Sequence, residues 1–165
     1  MRDEAPLALV ISELEGSALE GMQFPVEVER KVWRQAGKAL RPLHELEEGE
    51  LFGACLRDGS PAGKPVYEAR QFVAEELELL LEKGKQMGCL KGLELEVVEQ
   101  ARGLIESLEG ERPVPCHRDY CPANWLVAEE GEWKGVIDFE FARWDVRCAD
   151  FTRYPSWEWV DRPDL

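Results

Sequence analysis

Two short apolar runs joined by a polar turn constrain the fold of this chain more than any other feature. The runs are Trp125–Ala128 and Trp133–Ile137, and the turn between them, residues 129–132, reads Glu-Glu-Gly-Glu. Runs of this composition around a short glycine-containing turn are typical of a β-hairpin. Because a hairpin returns the chain, the polar residues before its first strand and after its second strand are expected to face each other.

A polar loop comes before the hairpin, and an acid follows it. The loop reads His-Arg-Asp-Tyr-Cys-Pro-Ala-Asn from His117 to Asn124, and Asp138 follows the returning strand. This is the H-x-D-x-x-x-x-N pattern of a phosphoryl-transfer loop with a later metal-binding aspartate. In that pattern Asp119 accepts a proton from a substrate hydroxyl, while Asn124 and Asp138 offer oxygen ligands to Mg²⁺. Alone, H-x-D indicates only a surface loop with a capping aspartate, but its place before a hairpin favours the phosphoryl-transfer site.

Upstream of these loops the sequence is mainly helical. Apolar residues recur at helical spacing in three segments: 25–46, 67–87 and 93–108. Pro42 is expected to bend or end the first helix near its C-terminus, and Gly110 to stop the third. Residues 47–65 are rich in glycine and proline and predict a loop.

A short apolar run near the amino terminus, Leu7–Ile11, predicts a buried strand. It is followed by a polar stretch that stops at Gly16. No second convincing strand is predicted before the hairpin. Since an isolated strand leaves its backbone groups unpaired, a pairing partner is expected from outside this sequence.

These features together resemble the aminoglycoside phosphotransferase and choline kinase family, which has the protein-kinase-like fold. Residues 137–142, Ile-Asp-Phe-Glu-Phe-Ala, followed by Asp145 and Asp150, resemble the metal aspartate, aromatic residue, glutamate and later aspartate of that family. Residues 9–16 resemble its hinge strand. The helix that ends Leu-Arg-Pro-Leu-His at His44 resembles the helix after the hinge. The resemblance covers nearly the whole chain.

The resemblance implies an α+β fold, the C-terminal lobe of a protein-kinase-like enzyme. It implies a single domain, 1–165, that is mainly helical and contains three parts: a hinge strand in 1–16, a helical part in 25–110, and catalytic and metal loops in 111–150. The implied activity is ATP-dependent transfer of the γ-phosphoryl group to a hydroxyl of a small molecule, with ATP as co-substrate and Mg²⁺ as cofactor.

The resemblance also implies roles for single residues in the two loops. Asp119 is implied as the catalytic base, and Asn124 and Asp138 as the magnesium ligands. His117 is implied as a structural residue whose ring packs and hydrogen-bonds behind both loops. Asp150 is expected to tie down backbone amides, as aspartates commonly do at helix starts.

Other roles lie at the hinge and around the loops. The backbone at Ser12, Glu13 and Leu14 is expected to hydrogen-bond the adenine edge. Arg118 stands where many relatives have glycine, and we interpret it as a salt-bridge residue. Glu140 either approaches the metal or substrate, or is solvated or capping.

The larger departure from the family is an absence. A glycine-rich loop should cover the phosphates and a strand lysine should pair with them, but neither precedes the predicted hinge strand. Lys31 and Lys38 lie on the helix after the hinge. Residues 157–165 look like the start of a further segment. The sequence therefore predicts a C-terminal lobe without its N-terminal lobe, with weak binding of magnesium-nucleotide and little or no turnover by itself.

Charge limits the partners. The formal net charge is −14 at pH 7, which argues against nucleic acid because phosphate backbones are bound through clustered lysine and arginine. A cationic substrate suits this charge, and so does a plain solubilising role for the acids. The implied substrate region, residues 47–110, is rich in glutamate and would suit a cationic amine such as an aminoglycoside or choline. Macrolides, amino alcohols and sugars stay open.

Cysteine usage and hydropathy indicate a cytoplasmic protein. The five cysteines are odd in number and scattered, so they form no disulfide framework and suggest a reducing compartment. Cys116-His117 with Cys121 lacks the paired Cys-x-x-Cys arms of a structural zinc site. No basic region followed by an apolar stretch opens the sequence, so no signal peptide is predicted, and no apolar run is long enough to predict a bilayer span.

Two other functions are compatible with the same residues. The chain could be a non-catalytic remnant or binding-only domain that keeps the fold but not the reaction. A helical interaction module is the third possibility, although its amphipathic helices fit better as core helices. In each case an unpaired hinge strand would expose a sheet edge, which predicts self-association.

Overall fold

The computed structural model describes residues 12–56 and 60–153, which form a mixed α+β fold. The predicted strand Leu7–Ile11 and the segment 157–165 lie outside these residues. The described elements are, in chain order, β1 (Ser17–Ala18), α1 (Val26–His44), α2 (Ala69–Gln86), α3 (Gly92–Leu104), β2 (Val114–Cys116), β3 (Trp125–Val127), β4 (Trp133–Val136) and β5 (Arg143–Asp145). Short 3-10 turns occupy Ile105–Leu108, Pro122–Asn124 and Arg147–Phe151.

Helix α1 agrees with the predicted first helix. Its buried residues recur every fourth position and form one stripe along the helix: Val32, Ala36, Leu40 and His44. Glu27 and Glu29 lie in its first turn and Arg41 in its last, which complements the helix dipole. Pro42 lies inside the last turn, and the helix ends two residues later at His44, as expected of a proline at this position.

Helices α2 and α3 also form where the apolar spacing predicts them. They are joined by a tight turn in which Leu90 packs over Gly84: a Cβ on Gly84 would lie 2.8 Å from Leu90 Cγ. Helix α3 tightens into the 3-10 turn Ile105–Leu108, so the predicted third helix ends in a different geometry. Gly110, at φ +78°, then turns the chain away.

The predicted hairpin is present as strands β3 and β4. Its register pairs Trp125 with Val136 and Leu126 with Gly135. Gly131 closes the turn at φ +76°, and its N–H donates to the carbonyl of Ala128 over 2.9 Å. The hairpin therefore brings the residues before β3 and after β4 to one end of a two-stranded ribbon.

The expectation that no second strand precedes the hairpin is wrong. Strand β1 pairs antiparallel with β3 and makes the ribbon a three-stranded sheet in the order β1-β3-β4, while β2 and β5 form a separate antiparallel pair. Within the predicted loop 47–65 Cys55 bridges to Pro61, and Phe52 bridges to Val66 just beyond it. These strands have two or three residues each, which is too short for a period of two to be recognised in the sequence.

The buried apolar side chains form two clusters, one on each side of the predicted catalytic loop. The first lies around α2, β2 and the 3-10 turn Arg147–Phe151, and includes Cys116. The second lies between α1 and the ribbon, and includes Tyr120 and Trp125. The chain crosses from one cluster to the other between Cys116 and Tyr120, so the loop that carries Asp119 is anchored at both ends in packed core.

Within the described ranges, no helix is both long enough and apolar enough to cross a lipid bilayer.

Candidate functional site

The predicted catalytic loop begins where β2 ends. Cys116 is the last residue of β2 and is 1% exposed. At the other end Tyr120 is buried, and its hydroxyl donates to the carbonyl of Ala36 in α1 over 2.7 Å. Between them Arg118 has φ +73°, a left-handed backbone conformation that favours glycine. The sharp turn at Arg118 directs the next residue, Asp119, away from the core.

Both carboxylate oxygens of Asp119 have partners. The amide nitrogen of Asn124 donates to Oδ2 over 3.1 Å and to the Asp119 carbonyl over 2.9 Å. Arg153 Nη2 lies 2.7 Å from Oδ1. The Asp119 side chain is 18% exposed and that of Arg153 is 59% exposed. The Asp119 carboxylate is therefore oriented by the buried amide of Asn124 on one side and contacted from the solvent side by the guanidinium of Arg153.

Asn124 lies at the end of the 3-10 turn Pro122–Asn124 and is 7% exposed. Because both hydrogen bonds of its amide nitrogen go to Asp119, the geometry fixes the orientation of the amide group. The Oδ1 oxygen of Asn124 has no hydrogen-bond partner in residues 12–56 and 60–153. Asn124 thus holds Asp119 with its nitrogen and leaves its oxygen for another ligand.

Asp138 follows β4 and is exposed, with φ +67°. Aspartate tolerates this conformation better than most residues. Its neighbour Ile137 donates its N–H to the carbonyl of Asn124 over 3.0 Å, which closes the open end of the hairpin. Asp138 therefore lies one residue beyond a backbone hydrogen bond that joins Ile137 to Asn124.

His117 contacts both loops and is 0% exposed. Its Nδ1 accepts from the Asp119 N–H over 3.2 Å, so its Nε2 carries the proton and donates to the carbonyl of Ile137 over 2.8 Å. Its ring also packs on Phe139, with centroids 4.5 Å apart. A single imidazole thus connects the backbone of Asp119 with the backbone that precedes Asp138.

Asp150 is a buried carboxylate beneath the loop, 1% exposed. It accepts the backbone N–H of His117 over 3.1 Å and that of Arg118 over 2.5 Å. It also lies 2.8 Å from His44 Nε2, at the end of α1. No role for His44 was predicted from the sequence. The signal that could have indicated one was the Leu-His ending of the first helix.

Arg118 forms the salt bridge expected of it. Its Nη1 lies 2.8 Å from Asp145 Oδ2, and Asp145 is 2% exposed. Arg143 Nε lies 2.9 Å from the same oxygen, and Arg143 Nη2 lies 2.8 Å from Glu76 in α2. This chain of charges links the predicted catalytic loop to α2.

The remaining predicted residues lie on the surface. Ser12, Glu13 and Leu14 are exposed and have no regular secondary structure. Leu14 Cδ1 lies 3.7 Å from where a Cβ on Gly135 would be, which places this segment beside β4. Glu140 is exposed in the loop after Asp138.

The structure also brings three buried potential metal ligands together, although not in the combination considered from the sequence. The ligand atoms of His44, Cys116 and Asp150 lie within 4.8 Å of one another. Cys121 instead points towards Asp119, with Sγ 3.9 Å from Oδ1. Burial, together with the nearby charges of Asp150 and Asp145, raises the pKa of the Cys116 thiol. A raised thiol pKa opposes metal binding, because the thiolate is the ligand.

A family model of the phosphotransferase enzyme family, that of the aminoglycoside phosphotransferases, matches residues 2–164. The chain belongs to the phosphotransferase enzyme family. This confirms the resemblance drawn from the two loops and the hairpin. Membership implies a protein-kinase-like fold and phosphotransferase chemistry, in a family that generally uses ATP and Mg²⁺. The searches of curated proteins and of solved structures returned no significant match.

The two loops offer oxygen ligands of the kind that magnesium prefers. Mg²⁺ binds oxygen, and usually takes one or two protein ligands while phosphates and waters complete its octahedron. The free Oδ1 of Asn124 belongs to a buried side chain that its own amide nitrogen already orients. The carboxylate of Asp138 lies at an exposed position where a phosphate can reach it. In their chemistry, an amide oxygen and a carboxylate are donors that suit magnesium-nucleotide.

Proposed function

We propose that this chain provides the catalytic lobe of an ATP-dependent phosphotransferase, which moves the γ-phosphoryl group to a hydroxyl of a small molecule. The observation that carries the proposal is the double hydrogen bond from the Asn124 amide to Asp119. One side chain orients the proposed base and leaves an oxygen free for a cation, which is what the two halves of a phosphoryl-transfer site require.

In the proposed reaction Asp119 accepts the proton of the acceptor hydroxyl as the oxygen attacks the γ-phosphorus. The bond from that phosphorus to the bridging oxygen breaks, and ADP leaves. Asn124 and Asp138 would hold Mg²⁺, which neutralises charge on the phosphates when bound. His117 fixes the spacing of the two loops, because it contacts the backbone on both sides. The hinge backbone at Ser12–Leu14 would hold the adenine edge. Catalysis of this kind depends mainly on positioning and charge.

The proposed acceptor is a cationic small molecule, such as an amine that carries a hydroxyl. The implied substrate region, residues 47–110, supports this choice because it is rich in glutamate. The net charge of −14 also favours a cationic ligand over nucleic acid. The free cysteines suit a reducing compartment such as the cytoplasm.

The test is phosphoryl transfer from γ-labelled ATP to a panel of aminoglycosides, amino alcohols, sugars and macrolides, with Mg²⁺ and with chelator. Because little or no turnover is expected of this lobe by itself, the calorimetric binding of magnesium-ATP is the first readout, and any transfer that is detected should fall about a hundredfold or more in Asp119→Asn, the usual effect of losing a general base. Asp138→Asn is expected to weaken binding of magnesium-ATP in calorimetry. Glu129→Gln, an exposed carboxylate change in the hairpin turn, is the matched control and should leave both quantities unchanged.

The alternative is a binding-only domain, and the Arg153 contact is the observation that favours it, because it occupies one oxygen of the proposed base. A binding-only domain would bind magnesium-ATP in calorimetry and lose that binding in Asp138→Asn. It would transfer no label to any acceptor, with or without Arg153. Transfer that depends on Asp119 would exclude this alternative.

A further inference from the structure

Arg153 is a cation beside the proposed base that the proposed reaction does not yet use. It follows the 3-10 turn Arg147–Phe151 by two residues, and its Nη2 lies 2.7 Å from Asp119 Oδ1. Its side chain is 59% exposed, whereas that of Asp119 is 18% exposed. Arg153 is therefore a solvent-accessible guanidinium at the atom that is proposed to receive the proton of the acceptor.

Arg153 can change partner more easily than the other arginines around the loop. Arg118 and Arg143 both pair with Asp145, which is 2% exposed. Breaking a buried ion pair is costly, because it leaves a charge uncompensated. An exposed ion pair contributes little to stability, because water solvates both partners when they separate. Arg153 can therefore leave Asp119 at low cost, while Arg118 and Arg143 stay in place.

The contact of Arg153 competes with the acceptor hydroxyl. Oδ2 of Asp119 accepts the amide of Asn124 over 3.1 Å, and Asn124 is buried. Oδ1 is contacted by Arg153 from the solvent side, which is also the side from which an acceptor arrives. The acceptor hydroxyl therefore competes with the guanidinium for Oδ1, and the reaction needs Arg153 to move.

The transferring phosphoryl group is a partner to which Arg153 can move. A general base lies about 3 Å from the hydroxyl that it deprotonates, and the attacking oxygen lies about 3–3.5 Å from the phosphorus. The γ-phosphorus would then lie about 6–7 Å from Asp119 Oδ1, within reach of a long side chain that now contacts that oxygen. In the transition state charge is spread over three equatorial phosphoryl oxygens. A guanidinium binds such oxygens in pairs, and the phosphoryl group offers it more negative charge than one carboxylate does.

We propose that Arg153 is a further catalytic residue, which leaves Asp119 and binds the equatorial oxygens of the γ-phosphoryl group as that group is transferred. This inference rests on the proposed function. The acceptor oxygen forms its bond to phosphorus, the bond to the bridging oxygen breaks with its electron pair going to ADP, and the proton of the hydroxyl goes to Asp119 Oδ1. The movement of Arg153 frees Oδ1 for that proton and places positive charge on the transferring group.

Two other roles for Arg153 lead to different expected results. As a plain surface ion pair, its replacement would change neither nucleotide binding nor transfer. As an inhibitory clamp on Asp119, its replacement would free the base, so it would speed any transfer and would not weaken the binding of ATP. As a residue that binds the γ-phosphoryl group, its replacement would weaken the binding of ATP and leave that of ADP unchanged, because ADP lacks this group.

The experiment measures the binding of magnesium-ATP and of magnesium-ADP by calorimetry in the full chain. Arg153→Gln is expected to lower the preference for ATP over ADP about tenfold, the usual effect of losing a charge-assisted contact. Arg153→Lys should keep part of the preference, because it retains the charge without the planar fork. Arg147→Gln is the matched control, because it removes the same charge from a 43% exposed arginine that pairs with Glu111. It should leave the preference unchanged.

Transfer and metal binding separate this inference from the proposed function. Any transfer of label that the native chain gives should fall about a thousandfold or more in Arg153→Gln, as for other catalytic arginines in phosphoryl transfer. An unchanged preference for ATP, or faster transfer, in Arg153→Gln would overturn the inference. If binding of both nucleotides is still weakened by Asp138→Asn, the proposed function survives that result. A native chain that binds neither nucleotide would refute the proposed function and this inference together.

Discussion

At the scale of single residues, position 118 combines a strained backbone with a buried ion pair. Its backbone angle of +73° is one that glycine adopts without steric cost. Arg118 has the strained backbone angle, and its guanidinium forms an ion pair with the buried carboxylate of Asp145, which also pairs with Arg143. Arginine at this position therefore costs backbone strain but ties the loop to Asp145 through an ion pair.

Replacing Arg118 tests this exchange. Arg118→Gly and Arg118→Ala both remove the guanidinium, but only glycine relieves the strained angle. The glycine variant is therefore expected to be more stable than the alanine variant by about 1 kcal/mol. Urea unfolding measures the difference. Equal stability, or a more stable alanine variant, would mean that residue 118 does not have the left-handed conformation.

At the scale of elements, the hairpin is positioned by its turn against α1. Gly131 is buried, and a Cβ at this position would collide with Val28 Cγ1 of α1. Gly131 also has φ +76°. The turn between β3 and β4 therefore requires glycine for two reasons: the close approach of α1 and the left-handed backbone angle.

Alanine substitutions at two glycines should have opposite effects on stability. Gly131→Ala is expected to destabilise the fold by about 2 kcal/mol or more, because it adds both a clash and strain. Gly37→Ala is the control, because Gly37 lies exposed on α1 with nothing within 4 Å of an added Cβ. It should stabilise the fold by about 0.5–1 kcal/mol through helix propensity. Thermal or urea unfolding of both variants shows whether each is more or less stable than the unchanged protein.

Elements differ in how far the sequence could predict them. The three helices could be located because each repeats its apolar stripe over several turns, as Val32, Ala36 and Leu40 do in α1. The hairpin was identified from its turn. Strands β2 and β5 could not be predicted, because a strand of three residues is too short to show an alternating apolar pattern. Their pairing, such as that of Val114 with Asp145, also joins residues far apart in the sequence.

The residues of the candidate site also differ in how far the sequence could predict them. The places of Asp119, Asn124 and Asp138 followed from a motif whose spacing is local. The contacts of Asp119 with Arg153 and of Asp150 with His44 join residues far apart in the sequence. Side-chain pairing across such distances depends on how elements pack, which no local pattern records.

At the scale of the whole molecule, each of the two buried clusters contains a weakly acidic side chain, a thiol in one and a phenol in the other, whose neutral form the fold favours. Burial, with a contribution from the Asp150 charge, raises the pKa of both the Cys116 thiol and the Tyr120 phenol. Their ordinary values are 9.0 and 10.0. Above about pH 9 the unfolded chain releases protons that the folded chain retains, so folding becomes less favourable as the pH rises.

The free energy of unfolding should therefore fall between pH 9 and pH 11, and Cys116→Ala should make this fall shallower. One such group contributes a slope of up to about 1.4 kcal/mol per pH unit. Cys89→Ala, which removes an exposed thiol, is the control and should leave the slope unchanged. Urea unfolding at stepped pH supplies the slopes. Identical slopes for the native chain and Cys116→Ala would show that the buried thiol is not held neutral by the fold.

Self-association is a second prediction at this scale. The expected hinge edge favours association, while a net charge of −14 opposes it. Added salt screens that repulsion, with a Debye length of about 10 Å at 0.1 M and about 3 Å at 1 M. Light scattering at high protein concentration should therefore give a mass that increases with salt. A monomer at every salt concentration would contradict the prediction.

The packing behind the proposed catalytic loop also supplies a spectroscopic reporter. The ring of Trp125 lies 4.5 Å from that of Trp33, 5.1 Å from that of Tyr120 and 5.9 Å from that of Trp133. Rings fixed in an asymmetric setting give near-ultraviolet circular dichroism, which disappears when side-chain packing loosens even if the helices persist. Because Tyr120 directly follows Asp119, this optical signal follows order next to the proposed base without any attached label.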